Sequence, residues 1–426
     1  MEIKTAVAAV LAAASLVISS CGTNSNTAKN DNNNTSAAEQ TTAAQETSTG
    51  GEMRDMTTKE IVKDMGLGIN LGNTFESCGI SGTVVSSFET GWGSPRITQE
   101  LIQGYANAGF GVLRVPVAWS NMMAEDYTIS EEYLARVNEV IGWAMDSGMY
   151  VILNEHWDGG WFEKFATETD ECMKKYSRIW EQLCDYYGSY GDKLMFESLN
   201  EELHWDSLWN QYGGSDDDGK KKAYELANSI NQKFVDIVRA SGGNNAKRHL
   251  LIAGYNTDID LTCDELFVMP DDPAGRCAVS VHYYTPSTYT IIDKDQSWGK
   301  ARKVWGNSKD LSEMDKLMDK IKEHFVDKGI PVIMGEYGCV AHKNKEPENI
   351  RLFNLIATEE MLKRDICPVL WDTTGTFYDR YMFVMKDEEF QKGLTRLKNG
   401  ESLREELLAA KEAAKQAAAA ETDSAA

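Results

Sequence analysis

An apolar run at residues 194–199 ends in three glutamates and an asparagine within six positions, Glu197, Asn200, Glu201 and Glu202. A second run, at 331–335, ends in Glu336 and Tyr337. Two carboxyl groups brought face to face are what cleavage of a glycosidic acetal needs, one to protonate the leaving oxygen and one to attack or to activate water. Read as a strand, the first run points Glu197, Leu199 and Glu201 to one face and Phe196, Ser198 and Asn200 to the other. Taken alone, a Glu-Glu pair after a strand reads first as a solvated acidic turn. The other polar residues decide against that.

They collect at the ends of further apolar runs. Arg114 lies in one that leads through Pro116 to Trp119, and Asn154-Glu155-His156-Trp157, His282-Tyr283-Tyr284 and Trp371-Asp372 each end another. Solvated loops have no reason to repeat this pattern so often.

The elements that must position these residues follow from the alternation of two periods. Short β-like runs at 66–72, 112–117, 150–154, 194–199, 249–253, 278–283, 331–335 and 368–371 alternate with amphipathic segments at 98–108, 130–147, 168–187, 220–240, 312–327 and 347–364. After the fifth run only a short helical piece from Asp264 is expected. Strands separated by helices pair in parallel, and eight right-handed crossovers close into a (β/α)8 TIM barrel, here a single catalytic domain of the α/β class. Its chemistry belongs at the C-terminal ends of the strands, where the polar residues collect. An open doubly wound sheet is disfavoured, because the glycines Gly66, Gly68 and Gly72 sit within a strand-like run at the wrong spacing for a dinucleotide fingerprint.

The chain has 426 residues, 42% of them hydrophobic and 10% aromatic, enough for a large core, and a formal net charge of −23. Such an acidic chain does not suit nucleic acid, whose phosphates demand Lys and Arg. A neutral sugar polymer meets no such barrier. There is no Cys-x-x-Cys and no His-Glu-x-x-His, so no metal and no cofactor are expected.

Several segments in register resemble the signatures of glycoside hydrolase family 5. They are Gly68-Ile69-Asn70-Leu71-Gly72-Asn73-Thr74, Leu113-Arg114-Val115-Pro116-Val117-Ala118-Trp119, Phe196-Glu197-Ser198-Leu199-Asn200-Glu201, Val279-Ser280-Val281-His282-Tyr283-Tyr284 and Pro331-Val332-Ile333-Met334-Gly335-Glu336-Tyr337-Gly338. Within that family the chain is most similar to bacterial endoglucanases and xyloglucanases. The resemblance implies Glu336 as nucleophile and Glu201 as acid and then base. Asn200 would bond the sugar 2-hydroxyl, His156 and His282 would contact the cleaved sugar, Tyr284 would hold the nucleophile through its hydroxyl, and Trp371 would face the ring. Arg114 would favour the charged form of Glu336, pair with Glu197, or serve both. Asn73 and Glu76, after the first strand, are candidates for a minus subsite. Trp157, Trp161, Trp205, Trp209, Trp298 and Trp305 fall in or near loops on the same face and are candidates to stack on sugars or to pack.

Two positions depart from the family's pattern. Glu202 stands where proline usually follows the acid, which loosens the loop and puts a second negative charge there. Trp157 stands where many relatives carry a second histidine beside His156, which removes a hydrogen-bond partner.

Outside the barrel, residues 1–21 read as an export signal whose Ile18-Ser19-Ser20-Cys21 resembles a lipobox, with Cys21 as the lipidation site. Residues 22–53, rich in Asn, Thr, Ser and Ala, read as a disordered tether. The catalytic domain is expected over 54–400 and an Ala/Glu-rich tail over 401–426, its first half a helix extension on propensity. Besides Cys21 there are seven cysteines, an odd number that leaves one unpaired in any internal pairing. The expected protein is a monomer held on the outer face of a bacterial membrane, or secreted. Its expected activity is retaining endo-β-1,4-glucanase, with xyloglucan, mannan or xylan as alternative polymers. A surface glycan-binding lipoprotein without catalysis is the other class, whose mark would be loss of Glu201 or Glu336; both are present.

Overall fold

The computed structural model describes residues 51–213, 216–339 and 344–424. The expected export signal, Cys21 and all but the last three residues of the expected tether lie outside them. Eight parallel strands close into a barrel in chain order: β1 Gly68–Asn70, β2 Val112–Val115, β3 Tyr150–Asn154, β4 Leu194–Glu197, β5 Leu250–Ala253, β6 Cys277–Tyr283, β7 Val332–Tyr337 and β8 Ile366–Leu370. Gly68 of β1 pairs with Val112 of β2 on one side and Val369 of β8 on the other, which closes the ring.

Helices cover the outside: α1 Thr58–Met65, α2 Gln99–Asn107, α3 Glu131–Asp146, α4 Thr169–Tyr186, α5 Asp217–Ala240, α6 Ser308–His324, α7 Pro347–Leu362, α8 Glu388–Lys398 and α9 Arg404–Ser424. The helical piece after β5 is Ile259–Thr262, just before Asp264 rather than from it. After β8 a hairpin, β9 Tyr378–Asp379 and β10 Val384–Met385, adds a feature that short apolar runs do not announce. Among the described residues the seven cysteines form no disulfide with one another.

The barrel interior is built in two layers by a period of two. The lower layer is apolar, with Val112, Met195, Leu251, Ala278, Ile333 and Val369 in one buried cluster. Two residues further along the same strands come Arg114 and Glu197, and on β6 Ser280 and then His282, all buried. The intervening Leu113, Phe196, Val279 and Val281 point outward into the layer between sheet and helices. Helix α1 seals the floor. A capping box, in which Thr57 and Glu60 each bond the other's backbone N–H, starts it, and its Ile61, Val62 and Met65 join the lower layer.

Strand β7 breaks this rhythm. Its register against β6 shifts, so that Val281 faces Met334 while His282 faces Glu336, leaving Gly335 as the extra residue of a β-bulge. Counting by two from the interior Ile333 would place Glu336 outside. The bulge turns it inward and sends Tyr337 outward, where its hydroxyl meets Thr358 of α7. Glycine suits the bulge: a Cβ on Gly335 would lie 2.9 Å from Ser280 Oγ and 3.1 Å from His282 Nε2, so either side chain would have to shift.

The segment from residue 401 is fastened to the barrel. The backbone N–H groups of Leu403 and Arg404 donate to Glu359 at 2.8 Å, Arg404 pairs with Asp315 at 2.6 Å, and Lys411 donates to the carbonyls of Trp305 and Gly306.

Candidate active site

Arg114 is the hub of the upper layer. Fully buried, it donates to Glu197 at 2.7 Å, to Asn70 Oδ1 at 3.0 Å, to Glu336 Oε1 at 2.9 Å and to Asn200 Oδ1 at 3.0 Å. Of the two readings of Arg114, it serves both glutamates. Glu197 receives a second bond from Ser280 Oγ at 2.7 Å, so this carboxylate is fully occupied as support. Asn70, from an interior position of β1, ties the guanidinium back to the bulge by donating to the Gly335 carbonyl at 2.9 Å.

Glu336 also accepts from the Tyr284 hydroxyl at 3.0 Å, and His156 Nε2 lies 3.9 Å from it. Across the mouth, His282 Nδ1 stands 2.7 Å from Glu201 Oε1 and 3.7 Å from Glu336 Oε2. Burial pulls the His282 imidazole down to about 4, so it is neutral, and its Nε2 has no partner. The single ring proton therefore sits on Nδ1 and is donated to Glu201.

The two carboxyls differ in what holds their charge. Burial pushes both above the ordinary carboxylate range. At Glu336 the imidazole of His282, the Arg114 guanidinium and the Tyr284 hydroxyl work against that rise. Glu201 is pushed up to about 7 by burial, with Arg114 opposing and Asp258 reinforcing. The direction for the pair is thus a proton on Glu201 and a negative charge on Glu336.

Donor atoms of Glu201, His282 and Glu336 all lie within 4.8 Å of one another, close enough to share a cation. Each is already engaged by a protein group, and the Arg114 charge beside Glu336 opposes a second positive ion. The arrangement suits two carboxyls acting on one atom between them. A cleft of about 830 Å3 opens from Glu201, His282 and Tyr284 past His204, Tyr212 and Lys316.

The other expected residues divide. His156 meets Trp371 ring to ring, with centroids 5.9 Å apart and planes within 6°, and its Nδ1 has Asn154 Nδ2 at 3.1 Å. Asn154 thus fills the place of the partner that Trp157 was expected to remove. Asn200 joins Arg114 although the alternation from Glu197 assigned it to the opposite face. Strand β4 ends at Glu197, and beyond it the pleat no longer dictates direction. Glu202 is buried and pushed up to about 8, first by burial and then by Glu201, which works against the expected second negative charge.

Glu76 is corrected. Its oxygens accept the backbone N–H groups of Asn73 and Thr74, the latter at 2.8 Å, and it is buried, so it shapes the turn after β1 instead of facing a sugar. Asn73 occupies the left-handed region of that turn at φ 58°. Of the two alternatives for the tryptophans, Trp305 packs: it is fully buried against Phe353. Trp161 stacks on Phe162 and bonds Asp158, while Trp205 and Trp209 lean on the core. Trp298 is partly buried, and Trp157 is 39% exposed and stacked on Trp92 at 6.4 Å. Trp92 was missed; its signal was a tryptophan between two glycines in the long loop after β1. Asn70 and Ser280 were missed as site residues too, though each is a polar residue at an inward position of an otherwise apolar strand.

With this geometry in place, comparison with known proteins is direct. The profile of the family described as cellulase (glycosyl hydrolase family 5) matches residues 74–376. The chain belongs to that family, and it is a glycoside hydrolase. Endoglucanase A of Ruminococcus albus is 35% identical over 331 residues, covering 77% of this chain and 86% of the relative. The xyloglucan-specific endo-beta-1,4-glucanase BoGH5A of Bacteroides ovatus is 31% identical over 352 residues, 77% of this chain and 68% of that one. Among solved structures, a GH5-4 broad specificity endoglucanase from an uncultured bovine rumen ciliate aligns with a TM-score of 0.74 at 33% identity, covering 82% of this chain and 99% of the other.

Proposed function

We propose that the protein is a retaining endo-β-1,4-glucanase. The observation that carries the retaining mechanism is the separation of Glu201 and Glu336, whose facing atoms lie within 4.8 Å. Inversion needs roughly 6.5 to 9.5 Å to admit a water between the carboxyls, whereas double displacement needs about 5 Å.

The ionised Glu336 attacks the anomeric carbon while Glu201 passes its proton to the departing glycosidic oxygen. This leaves a glycosyl ester on Glu336 and a free, shorter glucan. Esterification removes the negative charge facing Glu201, which lowers its proton affinity and fits it to act as base. Glu201 then takes a proton from water, the water oxygen displaces Glu336, and both groups return to their starting states. Asn200, held by Arg114, is placed to bond the 2-hydroxyl, and His156, His282 and Trp371 border the sugar being cleaved. Asn73, in the turn after β1, is the proposed minus-subsite contact.

The endo mode rests on relatives named endoglucanases, and the β-1,4 linkage on the relative named a xyloglucan-specific endo-beta-1,4-glucanase. Cellulose-like and mixed-linkage β-glucans are the proposed substrates. Xyloglucan is a second substrate on this reading, supported by the relative named for it and by an open cleft able to admit branches. The lipobox-like Ile18-Ser19-Ser20-Cys21 supports acylation of Cys21, with residues 22–53 tethering a monomeric catalytic domain outside the cytoplasm. Replacing Cys21 by Ala and following the chain between membrane and medium tests that anchor.

The decisive experiment is NMR of the first product. The β-anomer appearing before mutarotation is expected, and the α-anomer appearing first would overturn the mechanism. Glu336→Gln should reduce turnover on the order of 10⁴-fold or more with folding intact.

A further inference from the structure

The loop after β8 carries the chain's most conspicuous exposed apolar surface. Tyr381, Met382, Phe383 and Val384, four consecutive large side chains, are 66%, 69%, 37% and 53% exposed. Other exposed large apolar residues, such as Val84, Val268 and Val304, stand singly. A run of this kind lowers solubility and is expected only where it contacts something.

The tip is held firmly. At its root the buried Arg380 donates to the carbonyls of Gly72 and Asp372, both at 2.9 Å, and to Ser94 Oγ at 3.0 Å. Asp379 then organises the turn: its carboxylate accepts the N–H groups of Tyr381 at 2.9 Å and Met382 at 3.0 Å, and its carbonyl accepts that of Phe383 at 2.8 Å. Phe383 adopts a left-handed φ of 57°, which costs a bulky residue on the order of 1 to 3 kcal/mol. Arg380 ties the root of the tip to the ends of β1 and β8, a few residues beyond Trp371, while Phe383 lies against Gly104 midway along α2, so the tip sits on the flank of the barrel.

We propose that this hairpin tip is a second, non-catalytic contact for the polysaccharide, adsorbing to the apolar face of a neutral glucan on the flank of the barrel. The proposal rests on the glucanase reading. Charge selects the occupant. A chain of net charge −23 is repelled by anionic lipid and by a second copy of itself. A glucan is uncharged, and its pyranose faces offer C–H groups to Tyr381 and Phe383.

The test uses the full chain with Tyr381→Ser, Met382→Ser, Phe383→Asn and Val384→Thr combined; Asn tolerates the left-handed backbone at 383. Depletion onto microcrystalline cellulose in the cold should fall about ten-fold, while kcat/KM on a soluble cello-oligosaccharide and Tm stay unchanged. Unchanged depletion would overturn the proposal, and so would parallel loss of soluble turnover. Loss of binding to neutral phosphatidylcholine vesicles, or of a sedimenting dimer, with cellulose binding intact would assign the tip to a membrane or to self-association instead. If the unsubstituted chain neither binds nor shortens any glucan, the glucanase reading itself fails; binding that ignores the tip removes this proposal alone.

Discussion

His282 Nδ1 lies 2.7 Å from Glu201 and 3.7 Å from Glu336, so one neutral imidazole donates to the first carboxyl while standing within reach of the second. The chemistry of the pair depends on which carboxyl keeps the proton, and the neighbours of each make that testable.

Tyr284→Phe removes the hydroxyl that lowers the Glu336 proton affinity. A hydrogen bond to a charged group contributes about 1.5 to 3 kcal/mol, so kcat/KM should fall roughly 10- to 100-fold. The acid limb of the pH profile should move up, because Glu336 must be ionised to attack. An unmoved acid limb would separate Tyr284 from the charge on Glu336.

Asp258→Asn addresses the other limb. Glu201 is pushed up to about 7, and Asp258 is one cause. Activity that needs protonated Glu201 is full below that value and lost as pH rises through it. Removing the Asp258 charge lowers the Glu201 proton affinity, so the alkaline limb should move to lower pH. Asn can still cap Ile259–Thr262, where Asp258 accepts from the Leu261 N–H, so Tm should hold.

Arg114→Met strands two buried carboxylates. Breaking a buried ion pair from one side costs about 3 to 5 kcal/mol, which thermal melts should show as a large drop in Tm. Adding Glu197→Gln should recover part of that loss without restoring activity, because Glu336 still lacks its cation. Equal Tm in the single and double variants would contradict this sharing.

Gly335→Ala tests the bulge. The added methyl must push Ser280 or His282, at a cost of about 1 to 3 kcal/mol in stability. Because His282 in turn bonds Glu201, kcat should fall further than the stability loss accounts for. An alanine variant of wild-type kcat would show that the bulge tolerates a side chain.

The barrel was legible because each strand is an apolar run short enough to be nothing else, and each helix carries its own period. The polar upper layer followed from the strand ends. Glu336 is different: pleat counting from Ile333 turns it away from the site, and its place at a strand end singled it out before the bulge at Gly335 explained its direction. Asn200 failed the same counting, because β4 had already ended. Glu76 misled because a carboxylate that binds its own turn has the same sequence signal as one that binds substrate. The tryptophans differ only in which face the tertiary fold covers, and nothing local separates the buried Trp305 from the exposed Trp157.

The sealing of the floor by α1 has a directional consequence. The chain enters the barrel at this closed pole, where Arg54 is fixed to Asp192 and Tyr150, and every group of the reaction lies at the opposite one. The described chain therefore enters from behind the barrel, and the mouth faces away from that entry.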